Sequence, residues 1–566
     1  MTTPPNNPLP PSLGEEASHS DLVSKLVAEA FSQFAGAAKP PSTPSVPAPA
    51  SFSAPAALDP QSAVPPVHPS TQSAAPGSTA TPTGAHSPGS NDSYAYGEPR
   101  CNGSYRPQPQ PSDRRTTAAP FSPEGWDAAS LAAPDYYFLP DGNVRGQTPA
   151  AQLPYSRSAV PLPGFDLERV RRDFPALHQS VNGRPLIWLD NAATTHKPRA
   201  VIEATSQFYE RDNSNIHRAA HALAARSTEL FEAGREKVRK FLGAADAKEI
   251  VFVRGTTEAI NLVAQSYGRK NIGVGDEIII SELEHHANIV PWQLLAEQVG
   301  AVVRVIPIND RGELILEEYA ALLGPKTKFV SVAHVSNSLG TINPMEQIIA
   351  LAHARGVPVL VDGAQSTPHM PVNVTALDAD FYVFSGHKIF APTGIGALYG
   401  KAALLEAMPP WQGGGHMIRD VRFEKTTFQS APEKFEAGTP DIAGVVGLGA
   451  AIDYLFQVGL PGLAAYEHTL LEYATGALAS IPGLRLIGTA SSKASVLSFV
   501  IPGLPNDAIA RHLDKNGIAV RAGHHCAQPA IRHFGLETSV RPSLAFYNTR
   551  QEVDELVRVL GSLRHS

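Results

Sequence analysis

Val359-Leu-Val-Asp362-Gly-Ala-Gln365 and Asp380-Phe-Tyr-Val-Phe-Ser385-Gly-His387-Lys388 decide the fold between them. Each is a short apolar run, rich in β-branched and aromatic residues, that ends on a chemically active side chain. Working outward, Glu249-Ile-Val-Phe-Val253, Asp276-Glu-Ile-Ile-Ile280, Val302-Val-Arg-Val-Ile306 and Lys328-Phe-Val-Ser-Val332 repeat the pattern, separated by stretches with helical spacing. Continuous apolar runs alternating with helices predict an α/β fold, a largely parallel sheet covered on both faces. This large domain spans 165–412. From about Gly413 the pattern changes to a smaller α+β unit, 413–566, closing on a helix near Glu552 to Leu563. No internal repeat is present.

Open α/β sheets bind ligands outside the carboxyl ends of their strands, where Asp362 falls. Lys388 lies just past the next run, beside the glycines of Pro392-Thr-Gly-Ile-Gly396. Burying an ammonium is costly, and a Schiff base with an aldehyde cofactor both neutralises the lysine and gives it a purpose. Pyridoxal phosphate (PLP) also needs an acid opposite its pyridine nitrogen, and Asp362 fits. Arg254-Gly-Thr256-Thr257-Glu-Ala-Ile-Asn261 follows a strand and opens a helix, so its N–H groups and hydroxyls suit a phosphate. The plainer reading is a Thr N-cap. Ser385 and His387 flank the lysine and can reach the same phosphate. In Glu284-His285-His286-Ala-Asn288, the His285 ring can stack on a pyridine, although isolated histidines usually lie on the surface.

Cys526 stands in Val520-Arg521-Ala-Gly-His524-His525-Cys526-Ala-Gln528-Pro529. Arginine and histidine around one thiol give the electropositive setting that favours a thiolate. The rival readings are a buried small hydrophobe and zinc ligation, the latter weakened by the lack of a nearby second Cys; no metal is expected. Arg541 can clamp a carboxylate or form a surface ion pair.

The 566 residues hold two cysteines, which excludes a disulfide framework and suits a reducing compartment. A net charge of -7 gives no reason to expect nucleic-acid binding. No apolar run approaches the roughly 20 residues that span a bilayer, and the N-terminus lacks the basic and apolar regions of a secretory signal. The expectation is a cytoplasmic protein without membrane or nucleic-acid partners. The 51 prolines crowd into the first third. Residues 1–160 read as a disordered Pro/Ala/Ser-rich extension, since such composition cannot offset the entropy of ordering. Two islands break it: about 20–36, with Val23, Leu26, Val27, Ala30, Phe31 and Phe34 at helical spacing, and the aromatic cluster at 134–146. They read as segments that dock on a partner or pack back on the enzyme, docking being the better use of a long spacer.

Leu189-Asp-Asn-Ala-Ala-Thr-Thr195, Asn215-Ile-His217-Arg218, Arg254-Gly-Thr-Thr-Glu258, Ser385-Gly-His-Lys388 and Arg521-Ala-Gly-His-His-Cys526 together resemble the class V aminotransferase superfamily of PLP fold type I, and within it the SufS-type (group II) cysteine desulfurases. The likeness runs from about 165 to 563. It implies a homodimer that converts L-cysteine to L-alanine, leaves a persulfide on Cys526, and hands the sulfur to an acceptor protein or small thiol. It also implies roles. Lys388 carries PLP and moves the substrate's Cα proton; Asp362 pairs with the ring nitrogen; Gln365 meets the ring hydroxyl; His285 stacks. Thr256, Thr257, Ser385 and His387 hold the phosphate, with Thr439 reaching it across the dimer. Arg541 and Asn337 bind the substrate carboxylate, and Arg521 and His217 line the approach to Cys526.

The extension on this core resembles desulfurases packaged as cargo inside encapsulin shells, which implies a shell-protein partner and a place within a nanocompartment in the cytoplasm. Three rivals stand beside this reading: a selenocysteine lyase on the same scaffold, an ordinary aminotransferase, and a scaffold-filling protein whose enzyme core is vestigial.

Overall fold

The computed structural model describes residues 165–217 and 221–563. The extension 1–160, with its segments 20–36 and 134–146, lies outside them.

Seven strands form the main sheet: β1 (Ile250–Val253), β2 (Glu277–Ser281), β3 (Val302–Ile306), β4 (Thr327–Ala333), β5 (Val359–Asp362), β6 (Phe381–Ser385) and β7 (Gly396–Gly400), in the order β1-β7-β6-β5-β4-β2-β3. From β6 to β3 all neighbours are parallel. β7 runs antiparallel to both β1 and β6. The short turn between Ser385 and Gly396 forces this reversal, because a parallel crossover needs a dozen or more residues. The sheet is the mostly parallel one expected, with that one strand turned.

Burial on both faces can be followed residue by residue. Ile250, Phe252, Val330, Val332, Val359, Val361, Tyr382 and Phe384 belong to one buried cluster. Their alternates Val251, Val253, Phe329, Leu360, Phe381 and Val383 belong to another. Successive strand side chains point to opposite faces, so a continuous apolar run is the signature of a sheet covered twice. The first face is covered by α1 (Ala222–Leu242) and α3 (Ile442–Val458), the second by α2 (Thr256–Val263).

The smaller sheet holds β8 (Arg485–Ile487), β9 (Ser498–Val500), β10 (Arg521–Gly523) and β11 (Ser539–Arg541) in the antiparallel order β8-β9-β11-β10. Phe499 and Val540 pack with residues of α4 (Leu460–Ala479) and α5 (Arg550–Ser562) in a third core. The Thr549 hydroxyl and the Glu552 carboxylate exchange hydrogen bonds with each other's backbone N–H and start α5 where the sequence placed the last helix.

Candidate active site

Four parallel strands deliver their carboxyl ends to one edge of the main sheet. β5 ends on Asp362 itself. β6 ends on Ser385 and passes into the turn Gly386–Lys388; β2 leads into Glu284 and His285; β4 leads into the loop carrying Asn337. The cavity above them has a volume of about 560 Å³ and is lined by Thr256, Thr257, His285, Asn337, Asp362, Gln365, Ser385, His387, Lys388, Arg521, Cys526 and Arg541. Residues spread over 286 sequence positions therefore share one space, the outcome that strand-end ligand sites require.

At the floor, burial lowers the Lys388 ammonium to about 8; Arg541 adds to the effect, while Asp362 and Cys526 oppose it. Burial pushes the Asp362 carboxyl up, countered by the N–H of Ala364 and by Lys388. Lys388 is thus an amine that gives up its proton more readily than an exposed lysine, on the same cavity as a carboxyl whose burial works against its charge. The turn bearing the lysine is clamped: the His387 carbonyl accepts from the Thr195 N–H (3.1 Å), the Thr194 hydroxyl (3.1 Å), the Thr195 hydroxyl (3.2 Å) and the Lys197 ammonium (3.0 Å). His285 is held neutral, at about 3, first by burial and then by Lys388, His286 and Arg541. An uncharged imidazole is the form that can lie against a cationic ring.

At the phosphate end, Thr256 is the first helical residue and Gly255 the N-cap. The plain Thr N-cap does not occur. Instead the Ser385 hydroxyl, at the end of β6, accepts from the Thr256 N–H (2.9 Å) and donates to the Thr256 hydroxyl (3.0 Å). Gly255 has φ 151°, and a Cβ there would stand 3.0 Å from the Ser385 oxygen. The rest of the first turn of α2, whose N–H groups lack intrahelical partners, faces the cavity through Thr257.

The rim is built differently. His525 (φ 54°) and Cys526 (φ 55°) are consecutive left-handed residues, a conformation costing an L-residue roughly 1–2 kcal/mol. Neighbouring elements hold them there. The Asn337 amide donates to the His525 carbonyl (2.6 Å), and the His286 N–H donates to the Cys526 carbonyl (2.7 Å). The buried His525 ring bonds the Ser539 hydroxyl (2.9 Å), and the Cys526 N–H meets His524 Nδ1 (3.1 Å). The thiol is exposed, which removes the reading of Cys526 as a buried hydrophobe.

Arg521 and Arg541 stand directly opposite each other across β10 and β11, an arrangement that would repel. Asp190 lies between them, accepting from Arg521 Nη2 at 2.9 Å and Arg541 Nη2 at 3.2 Å. Arg541 is 2% exposed; it also donates to the Asn337 carbonyl (2.8 Å), and its Nε has no partner. It is a cavity-facing cation rather than a surface ion pair.

Two expected site residues lie elsewhere in this chain. His217 pairs with Glu232 at 3.2 Å and stacks on His416 at 4.1 Å. Thr439 lines a second cavity of about 550 Å³ with Arg254, Trp411 and Glu436. Conversely, Asp190, Thr195, Lys197 and Glu284 support the site without having been singled out. Asp190 and Thr195 sit inside the quoted Leu189–Thr195 motif, so the motif was visible while their partners were not.

The residues fit pyridoxal phosphate. Asn337 Oδ1, Gln365 Oε1 and Arg541 Nε are buried, unpartnered and on the cavity wall, which buried polar groups avoid unless a ligand completes them. A lysine low enough to react with an aldehyde, a carboxyl for a ring nitrogen and a helix start for a phosphate stand around the same space.

Comparison with known proteins agrees. The aminotransferase class-V family model matches residues 187–556. A cysteine desulfurase of Synechococcus elongatus is 61% identical over 71% of this chain and 64% of its own length. A probable cysteine desulfurase of Vibrio cholerae is 51% identical over 70% of this chain and 98% of its own length. The crystal structure of the cysteine desulfurase CsdA (S-sulfonic acid) from Escherichia coli aligns with a TM-score of 0.66 at 44% identity, covering 71% of this chain and 99% of that one. The chain spans 64–66% of the length of the first three curated relatives it matches. The chain belongs to the class-V aminotransferase family.

Proposed function

We propose, from that membership as the premise, that this enzyme is a PLP-dependent cysteine desulfurase of the SufS type, converting L-cysteine to L-alanine while Cys526 takes the sulfur. The observation that carries the reading is the exposed Cys526 thiol on the wall of the same cavity as Lys388 and Asp362. An aminotransferase has no use for such a thiol.

Bound PLP supplies an electron-accepting ring that makes the Cα proton of an amino acid removable. Lys388 would hold its aldehyde, Asp362 its ring nitrogen, Gln365 its ring hydroxyl, and Thr256, Thr257, Ser385 and His387 its phosphate. His285 would lie against the ring. Arg541 binds the substrate carboxylate with Asn337. Lys388 would be the base that takes the Cα proton, a positioned transfer worth roughly 10²–10⁴-fold. The Cys526 thiolate attacks the substrate sulfur: a new S–S bond forms and the Cβ–S bond breaks, its electron pair staying with carbon. Reprotonation yields alanine and leaves a persulfide for an acceptor protein or small thiol. Arg521, held by Asp190, keeps positive charge beside the developing persulfide. In a homodimer, His217 and Thr439 would serve the partner's cavity, consistent with their absence from this one.

Alanine released from L-cysteine by the wild type and by Cys526→Ala, under a thiol reductant, tests this. Alanine from the first and almost none from the second is expected. Equal release from both would sink the nucleophile assignment.

The extension is read as encapsulin-targeting, which would place the enzyme inside a nanocompartment in the cytoplasm; its Pro/Ala/Ser composition and two short apolar islands support this. Deleting residues 1–160 should leave turnover unchanged and abolish co-purification with the shell protein. Shell association without them would overturn it.

A further inference from the structure

We propose that Glu284 is a positioning residue of this site: it ties the loop that carries His285 to the ends of β2 and β4 beneath the cavity, and so sets how firmly the cofactor is held. The inference rests on the PLP reading.

Glu284 has no solvent exposure and no cation among its hydrogen-bond partners. One carboxylate oxygen accepts from the Ser281 hydroxyl, at the end of β2. The other accepts from the Asn288 amide at 2.6 Å, and the Ala333 N–H, at the end of β4, lies 3.0 Å from both. Asn288 is itself fixed, its oxygen accepting from Trp292 Nε1 (2.9 Å) and the Ser331 hydroxyl (2.5 Å). One side chain therefore ties the ends of two strands to the loop whose next residue is His285. Ala333 is paired in register with Asp362, so the same tie reaches the carboxyl expected to face the ring nitrogen.

Burying a carboxyl among neutral donors is costly, so a side chain kept there is kept for the bonds it makes. Burial, the nearby Asp362 and the opposing bonds from Ser281, Asn288 and Ala333 leave the Glu284 carboxyl at about 7. Lys388 and Arg541 act on the neighbouring groups: Lys388 on both His285 and Asp362, Arg541 on His285. Neither is hydrogen-bonded to Glu284.

Glu284→Gln keeps the shape and removes the charge. In the loaded enzyme the bound cofactor's absorbance is followed against pH, with its dissociation measured by dilution. The Gln amide nitrogen cannot accept from Asn288, whose own oxygen is taken by Trp292 and Ser331, so the His285 loop should loosen: dissociation should quicken several-fold and the absorbance midpoint should shift in E284Q. The same midpoint and dissociation in a folded E284Q would overturn the assignment. Should E284Q not fold, Glu284→Asp is one methylene shorter and draws the carboxyl away from the Ala333 N–H: dissociation should quicken, and wild-type dissociation would overturn the proposal. A wild type that takes up no PLP overturns the cofactor reading instead, which separates the two failures.

Discussion

The floor of the cavity is made from the ends of regular parallel strands, and its functional groups stand on backbone that any L-residue can adopt. The Cys526 rim is made from a loop with two successive left-handed residues, between strands of the smaller sheet, and is held by bonds from Asn337 and His286 of the large one. Asp362, Gln365 and Ser385 of the floor are buried, whereas the rim ends in an exposed thiol. A cofactor seat gains from permanence, since its groups must not rearrange around water. A sulfur carrier must meet the substrate on one side and an acceptor on the other, so strain and exposure are placed there and constrained from outside.

If this contrast is right, floor and rim substitutions should fail in different ways. The largest effect belongs to Lys388→Ala. Turnover should fall by at least about 10²–10⁴-fold, and the absorbance of lysine-bound PLP should disappear; a variant keeping either would break the picture of the floor. Cys526→Ala comes next. It should lose desulfuration while keeping the cofactor absorbance, so parallel loss of both would erase the distinction between the regions.

A smaller effect sharpens the electrostatics of the floor. An amine adds to an aldehyde only when unprotonated, and the lowered value of Lys388, about 8 against an ordinary 10.5, means that half of it is reactive at about pH 8. Capture of PLP by apoprotein should therefore be half-maximal near pH 8 and level off by about pH 9. A rise continuing toward pH 10 would show that the buried site does not depress the lysine.

Much of the large sheet was legible because apolar runs of strand length, interleaved with helices, admit few arrangements. The antiparallel β7 was not, since its apolar pattern is the same in either direction and only the length of the preceding turn decides. Lys388, Asp362 and Cys526 could be singled out because their side chains are chemically unusual for their local surroundings. Asp190 and Glu284 could not: a carboxylate in a motif acquires meaning only from the two arginines or the strand ends it bridges, and those lie far away in the chain.

The sequence by itself determined the alternation of strands and helices, the residue types at the strand ends and the family resemblance, because each depends on local pattern. Only the tertiary structure decided that Ser385 caps α2, that Asp190 stands between opposed arginines, that His525 and Cys526 adopt left-handed backbone, and that His217 lies outside this chain's own cavity. Those facts depend on which distant segments meet, and no local periodicity encodes a meeting.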